Sequence, residues 1–169
     1  IEINPQYADA YYNRGLAKDQ LGDYQGAIAD YSKAIAINPQ YAGAYHGRGL
    51  AKDQLGDYQG AIADYGKTVS IDSQDYKAYS NRGISKRRSG DYQGAIADYN
   101  QAIALNPQGV DAYFNRAIAK QGSKDYQGAI ADYNKAIAIN PQDAPAYFLR
   151  GTAKQLIGDY QGAIDDYNK

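Results

Sequence analysis

The sequence contains no cysteine, no tryptophan and no methionine, and His46 is its single histidine. Without cysteine, the chain has neither a disulfide framework nor a thiolate metal site. Because methionine is missing, the chain has no natural translation start, and we interpret the 169 residues as a fragment. His46 has no cysteine or spaced carboxylate set beside it, so the sequence predicts no metal site.

Long apolar runs and an excess of either charge are also absent. No stretch approaches the roughly 20 apolar residues that a bilayer span needs, and no signal-peptide pattern opens the chain. Nineteen acidic residues nearly balance eighteen basic ones, giving a net charge of −1. This balance argues against a broad nucleic-acid or anionic-membrane surface. We therefore expect a soluble chain with protein or small-ligand partners, and take the cytoplasm as its default compartment.

What the sequence does contain is one decapeptide at a fixed interval. GDYQGAIADY occurs unchanged at 22–31, 56–65 and 90–99, and near copies begin at Lys124 and Gly158. Each copy starts 34 residues after the one before it, a period that indicates stacked structural repeats. We expect a single array over 1–169, made of a tail of an earlier repeat and five repeats, at 1–7, 8–41, 42–75, 76–109, 110–143 and, shortened, 144–169.

Each repeat predicts two helices joined by a short turn. ADAYYNRGLAKDQL and YQGAIADYSKAIAI both place apolar or small residues at helical spacing. Between them, Gly22 suits a helix C-terminus and Asp23 suits an N-cap. Asparagine followed by proline then ends most of the second helices. The sequence therefore predicts an all-α chain of helix, turn, helix, turn units.

An early glycine in each second helix is unexpected, because glycine costs about 1 kcal/mol relative to alanine inside a helix. The glycines are Gly26, Gly60, Gly94, Gly128 and Gly162. Either another backbone passes close to them, or duplication copied a tolerated residue.

Residues at fixed positions make the unit resemble the tetratricopeptide repeat. In the first repeat they are Tyr11, Arg14, Gly15, Lys18, Ala27, Tyr31 and Pro39. The resemblance covers almost the whole chain and implies a right-handed α-solenoid, a superhelix of antiparallel helix pairs. It also implies a non-catalytic scaffold for protein–protein interaction. Tyrosine stands where the family often has tryptophan or phenylalanine, and arginine and lysine replace a usual leucine and tyrosine.

Two charged positions are constant in all five repeats. Counting from the first residue of each repeat, position 7 is always arginine and position 23 is always aspartate. A partly buried arginine is costly unless a carboxylate meets it, so we predict structural ion pairs within repeats rather than a ligand site. The pairs are Arg14 with Asp30, Arg48 with Asp64, Arg82 with Asp98, Arg116 with Asp132, and Arg150 with Asp166.

Residues that differ among the repeats fall on a stripe of the first helix, opposite its constant face. By the resemblance, this stripe lines the concave groove in which such arrays bind peptides. Its aromatic and aliphatic side chains offer anchoring area, and its asparagines could hydrogen-bond a peptide backbone. The alternative is neutral drift on a solvated face. The predicted groove residues are Tyr12, Asn13, Leu16, Asp19, His46, Leu50, Asp53, Lys77, Ser80, Asn81, Ile84, Arg87, Arg88, Asp111, Phe114, Asn115, Ile118, Phe148 and Thr152.

Basic residues gather in the third repeat, at Lys77, Lys86, Arg87 and Arg88. They are expected to face the acidic Asp9, Asp19 and Asp53 of the earlier repeats. Such a bipolar groove would prefer a dipolar peptide. The alternative is that the arginines form a solvated helix end, where cations are mildly favoured. The family's pattern for binding carboxylate-terminated chaperone tails is matched only by Lys77 and the asparagines, so we do not predict that ligand.

Signals of catalysis are absent from the sequence. No phosphate-loop motif and no nucleophile with a nearby base occurs, and the adjacent Asp165 and Asp166 would point about 100° apart on a helix. We expect no enzyme activity, no cofactor and a protein or peptide partner. The alternative function is structural self-assembly, in which exposed terminal repeats stack end to end as a homo-oligomer.

Overall fold

The computed structural model describes residues 4–169, and this part of the chain folds into ten α-helices without a strand. Residues 1–3 of the predicted leading tail lie outside the described residues. The helices are α1 (Ala8–Gln20), α2 (Tyr24–Ile37), α3 (Ala42–Gln54), α4 (Tyr58–Ile71), α5 (Tyr76–Arg88), α6 (Tyr92–Leu105), α7 (Val110–Gly122), α8 (Tyr126–Ile139), α9 (Ala144–Leu156) and α10 (Tyr160–Tyr167).

The chain forms two compact units, which divide between Ser89 and Gly90. In the first unit, each of α1 to α4 packs against the next helix in the chain, and α1 also contacts α3, which contacts α5. In the second unit, α6 to α10 likewise pack in chain order. Within each unit, packing therefore follows the chain, as in stacked helical hairpins.

The turn inside each hairpin explains the first letters of the decapeptide. At the end of α1, Gly22 N–H donates to Asp19 O over 3.0 Å and Asp23 N–H donates to Lys18 O over 2.9 Å. These bonds close a Schellman motif, which needs a left-handed residue after the C-cap. Gly22 has a φ of +78°, and glycine adopts this conformation without strain. In the fourth repeat, Lys124 takes the same place with a φ of +67°.

The early glycine of each second helix makes room for the N-cap of its own helix. Asp23 Oδ1 accepts a hydrogen bond from Gly26 N–H over 2.9 Å. A Cβ atom on Gly26 would overlap the Asp23 carboxylate, and Gly60 and Gly128 stand in the same relation to their own capping aspartates. The close neighbour is thus the capping side chain and not another backbone. That duplication copied a tolerated residue stays a prediction.

Buried tyrosines fill the space between consecutive first helices. Tyr31 and Tyr133 are 0% exposed. A Cβ atom on Gly15 of α1 would lie 2.8 Å from Tyr31 Cε1, and one on Gly47 of α3 would lie 2.7 Å from Tyr31 Cζ. The ring therefore fits because both first helices present a small residue to it. This packing holds α1 beside α3 and sets the spacing of the helices that carry the variable stripe.

Candidate functional site

The constant charged residues pair within repeats. Arg14 donates to both oxygens of Asp30, over 2.7 Å from Nε and 2.5 Å from Nη2. The same bidentate contact, which is among the stronger hydrogen-bonded pairs in proteins, joins Arg48 to Asp64, Arg116 to Asp132, and Arg150 to Asp166. The remaining pair, Arg82 with Asp98, has its members in different units and stays a prediction.

A lysine that was not predicted to pair completes each cluster. Lys18 Nζ lies 2.8 Å from Asp30 Oδ2, and Lys52, Lys120 and Lys154 approach their aspartates in the same way. The signal was present in the sequence, because position 11 is lysine in all five repeats. The hydrogen bond from Arg14 is the main cause that lowers the pKa of Asp30, and the bond from Lys18 adds to it.

The same arginines also connect neighbouring repeats. Arg48 Nη1 donates to Ser32 Oγ over 3.0 Å, and Arg116 and Arg150 donate to Asn100 and Asn134 over 2.6 Å. Each guanidinium further lies over the tyrosine three residues before it, with a distance of 5.6 Å from Arg48 Cζ to the Tyr45 ring centroid. These arginines and aspartates are therefore occupied by contacts that hold the fold.

In the first unit, stripe residues of adjacent first helices contact one another. Asn81 of α5 donates to His46 Nε2 of α3 over 3.0 Å, and His46 Nδ1 lies 3.2 Å from Asp75 Oδ2. With Nε2 as the acceptor, a neutral imidazole carries its hydrogen on Nδ1 and donates it to Asp75. Ser85 of α5 donates to Asp53 of α3 over 2.7 Å. The stripes of α3 and α5 thus form one continuous surface.

The predicted acidic and basic sides of this surface partly neutralise each other. Arg88 forms an ion pair with Asp53, which is only 9% exposed. Asp9 lies near Tyr41, where burial first and then the hydrogen bond with Asp9 raise the pKa of the tyrosine to about 12. Arg87 Nε is buried without a hydrogen-bond partner. Of the residues in the predicted bipolar arrangement, the structure brings Arg88 and Asp53 together. Because they form an ion pair with each other, neither charge is left for a ligand.

Asp19 has a different environment from Asp53. Its Oδ1 atom is buried and has no hydrogen-bond partner. Burial raises the pKa of Asp19, because a charged carboxylate is less stable away from water.

Apolar stripe residues of the first unit are half-buried against the core. The Tyr12 ring lies 5.9 Å from the Tyr31 ring and 4.9 Å from the Tyr41 ring, measured between centroids. Leu16 packs against the core around Tyr31, whereas Leu50 is 37% exposed. The other predicted residues differ in exposure: Ser80 and Ile84 are half-buried, while Asn13 and Lys77 are exposed.

In the second unit, the two phenylalanines each contact the core tyrosine of their own repeat. Phe114 packs edge-on against Tyr133 at 5.9 Å between ring centroids, and Ile118 packs on the same core. Phe148 lies 5.8 Å from the Tyr167 ring and is 60% exposed. The polar stripe residues bond within their own helices: Asn115 donates to the carbonyl of Asp111, and Thr152 to that of Phe148.

Two further findings apply to residues 4–169 only. No three histidine, aspartate or glutamate residues there are grouped so that they could hold a metal ion. No helix in the same range is both long enough and apolar enough to cross a membrane.

Family models described as tetratricopeptide repeat (TPR) match the chain at 8–41, 42–75, 80–144 and 132–165. The chain belongs to the tetratricopeptide-repeat family. The resemblance drawn from the sequence is confirmed, and so is the TPR fold class, a solenoid of antiparallel helix pairs. TPR arrays are in general non-catalytic scaffolds for protein interaction, and this chain has the fold of such a scaffold.

Several solved TPR structures share this fold. A crystal structure of MamA is 28% identical with a TM-score of 0.91, the match covering 95% of this chain and 88% of that one. MamA 41-end from Desulfovibrio magneticus RS-1 is 19% identical with a TM-score of 0.91, over 95% of this chain and 91% of that one. YrrB, a TPR protein with an unusual peptide-binding site, is 19% identical with a TM-score of 0.85, and the match covers 98% of this chain and 86% of that one. No curated protein sequence matches the chain.

Proposed function

We propose that the chain binds a peptide segment of a partner protein, extended or helical, along the surface formed by the variable stripe of its first helices. The observation that carries this proposal is the contact between stripe residues of successive repeats, such as Asn81 with His46 over 3.0 Å. Because these side chains touch across α3 and α5, the stripe residues of the second and third repeats make one surface that a single peptide can follow.

The constant face has a separate role, which strengthens the proposal. In four of the repeats, the position 7 arginine and the position 23 aspartate hold the fold together, as Arg48 does with Asp64 and Ser32. The stripe, by contrast, keeps apolar area in contact with solvent at Leu50 and Phe148. Exposed aromatic and aliphatic side chains on a first-helix surface are suited to anchor a partner. YrrB, which has the same fold and an unusual peptide-binding site, supports a peptide as the ligand.

A selection experiment tests this proposal. A random peptide library is selected on the immobilised wild-type protein, and the affinities of enriched peptides are measured for three variants. Leu50→Ala in the first unit should lower the affinity for peptides that contact that unit by about tenfold, and Phe148→Ala should do the same for peptides that contact the second unit. Leu21→Ala is the matched control, because Leu21 is 85% exposed at the C-cap of α1 and lies outside the stripe. Binding that all three variants leave unchanged would refute a groove ligand.

End-to-end self-assembly is a second candidate function, which one observation favours. The arginine of one repeat donates to position 25 of the repeat before it, as Arg150 does to Asn134. In the fifth repeat that position is Asn168, and on α10 Tyr160 and Ile164 are 66% and 51% exposed. Arg14, which could meet Asn168 of a second copy, has a side chain that is 49% exposed, against 16% for Arg150.

Light scattering over a range of concentrations tests this second candidate. Self-assembly predicts a mass that rises with concentration, and an Ile164→Asp variant that stays monomeric. Leu55→Asp adds the same charge at an exposed position in the second repeat, away from both α1 and α10, and should assemble like the wild type. A monomeric wild-type protein at the highest concentration would exclude this function.

A further inference from the structure

Two buried polar atoms of the first repeat have no hydrogen-bond partner. They are the Tyr31 hydroxyl and Asp19 Oδ1. Tyr31 is 0% exposed, so its hydroxyl is withdrawn from bulk water. Buried polar atoms in folded proteins nearly always have a partner, and each exception requires a physical explanation.

The fourth and fifth repeats show the same two positions with their hydrogen bonds satisfied. There, Tyr133 donates its hydroxyl to Gln121 Oε1 over 3.2 Å, and Tyr167 donates to Gln155 Oε1 over 3.1 Å. Glutamine is one methylene longer than aspartate and carries no charge. Asp19 therefore differs from its counterparts in two respects: its carboxylate does not reach the tyrosine hydroxyl, and it brings a negative charge to the site.

The unsatisfied pair lies at the boundary of α1 and α3, on the side of the variable stripe. A Cβ atom on Gly47 of α3 would lie 3.0 Å from the Tyr31 hydroxyl. Asp19 stands on α1 one helical turn after Gly15, which touches the same ring, and its side chain is only partly buried. A ligand that follows the first helices therefore meets the Asp19 side chain, while the Tyr31 hydroxyl stays buried.

Charge selects the kind of ligand. In the neighbouring repeat, the equivalent Asp53 already has a cation, Arg88, and a hydroxyl donor, Ser85. Asp19 forms no ion pair within the part of the chain that the structure describes. A partly buried carboxylate without a cation attracts a positively charged donor.

From this geometry we infer that Asp19, next to the buried Tyr31 hydroxyl, forms a subsite for a basic side chain, lysine or arginine, of the bound peptide. The inference rests on the proposed peptide-binding function and names the ligand chemistry of one part of that surface. The ammonium or guanidinium group donates to the Asp19 carboxylate. Rotation of the carboxylate about χ2, a soft torsion in aspartate, brings its oxygens to the ligand.

Selection of a random peptide library on three forms of the protein tests the subsite. The forms are the wild type, Asp19→Asn, which removes the charge at constant length, and Asp19→Gln, which reproduces the satisfied pair of the fourth repeat. Peptides enriched on the wild type should share a lysine or arginine at one register, and both variants should lose this preference. Replacing that lysine by norleucine should weaken binding about tenfold on the wild type and less than twofold on Asp19→Asn.

A gain-of-function variant keeps the test decisive if the Asp19 variants fold poorly. Gln121→Asp places the same short carboxylate opposite Tyr133 in the fourth repeat and should create a new preference for a basic residue. Circular dichroism and thermal unfolding report whether each variant is folded.

The outcomes separate this inference from the proposed function. Enriched peptides without a basic residue, or with the same basic preference on folded Asp19→Asn, would overturn the subsite while leaving the groove intact. A crystal structure with an enriched peptide bound, in which the basic side chain of the peptide does not contact Asp19, would overturn it as well. If no peptide is enriched on the wild type, the proposed function itself is wrong.

Discussion

At the scale of single residues, the most consequential arrangement is the buried aspartate that accepts from both an arginine and a lysine. Asp30 is 3% exposed and receives two bonds from Arg14, with Lys18 Nζ at 2.8 Å. Burying a carboxylate is expensive, and removing one cation leaves the other in place. The lysine therefore makes the cluster less sensitive to loss of the arginine than a simple pair would be.

Acid should weaken this cluster first. The pKa of Asp30 is lower in the folded than in the unfolded chain, so its ionised form stabilises the fold above the unfolded value of about 4. That stabilisation is lost as the pH falls through the folded-state pKa. We predict that the free energy of unfolding, measured by denaturant titration from pH 7 to pH 3, declines below about pH 4. In Asp30→Asn the slope of this decline against pH should be smaller, by up to the amount that corresponds to the uptake of one proton on unfolding.

The exposed Asp165 provides the control for this measurement. Asp165→Asn makes the same substitution at an exposed position of α10, and the change of slope in Asp30→Asn is measured against it. Equal slopes for the wild type and Asp30→Asn would contradict the role assigned to Asp30.

Lys124 offers a second test at the residue scale. It has a φ of +67° at the place where the first repeat has Gly22. A left-handed conformation costs a residue with a Cβ atom about 1–2 kcal/mol, so Lys124→Gly should raise the free energy of unfolding by about 1 kcal/mol. Lys124→Ala removes the charge but keeps the Cβ atom and should give no such gain. Denaturant midpoints of the three proteins decide the question, and equal gains from glycine and alanine would point to charge instead.

At the scale of elements, the helices could be predicted from the sequence because their signals are local and repeated. Helical spacing, the Gly-Asp turn and Asn-Pro ends all act within a few residues. The predicted helix ADAYYNRGLAKDQL therefore matches α1 except for its last residue, Leu21, which is the C-cap. The role of the lysine at position 11 and the Asp19–Tyr31 pair were not predicted. Both depend on how far side chains of different helices reach, and a one-methylene difference decides whether a hydrogen bond closes.

The N-cap of each second helix carries a prediction of its own. Gly60→Ala should raise the free energy of unfolding by about 1 kcal/mol, because alanine has the higher helix propensity. It should also lower that free energy by about 1 kcal/mol, because the added Cβ atom would overlap the Asp57 carboxylate and displace the N-cap. The net change should be close to zero. In an Asp57→Ala background the cap is already gone, so the same substitution should stabilise the protein by about 1 kcal/mol.

A double-mutant cycle measures this coupling from four denaturant titrations. The equivalent pair in the fourth repeat, Gly128 and Asp125, has the same geometry and serves as a replicate. If alanine has the same effect with and without the aspartate, the glycine is a tolerated copy after all.

At the scale of the whole molecule, the order in which helices pack determines how far the destabilising effect of a substitution extends along the chain. Helices pack against their neighbours in the chain, so the core of each unit is built from short-range contacts along the array. In such quasi-one-dimensional folds, stability is approximately a sum of repeat and nearest-neighbour terms, and regions open separately. The variable stripe can therefore differ from repeat to repeat without affecting the fold of distant repeats.

Hydrogen exchange tests this locality. Tyr133→Ala removes a fully buried ring from the second unit, a change that costs about 3–5 kcal/mol for large aromatic side chains. Amides of α7 to α9 should lose most of their protection, while those of α1 to α3 should stay close to wild type. Tyr31→Ala should give the reverse pattern, and Tyr160→Ala, at a position that is 66% exposed, should change little in either unit. Equal loss of protection in all helices would show that the array unfolds as one cooperative block, and the stripe would then not be free to vary repeat by repeat.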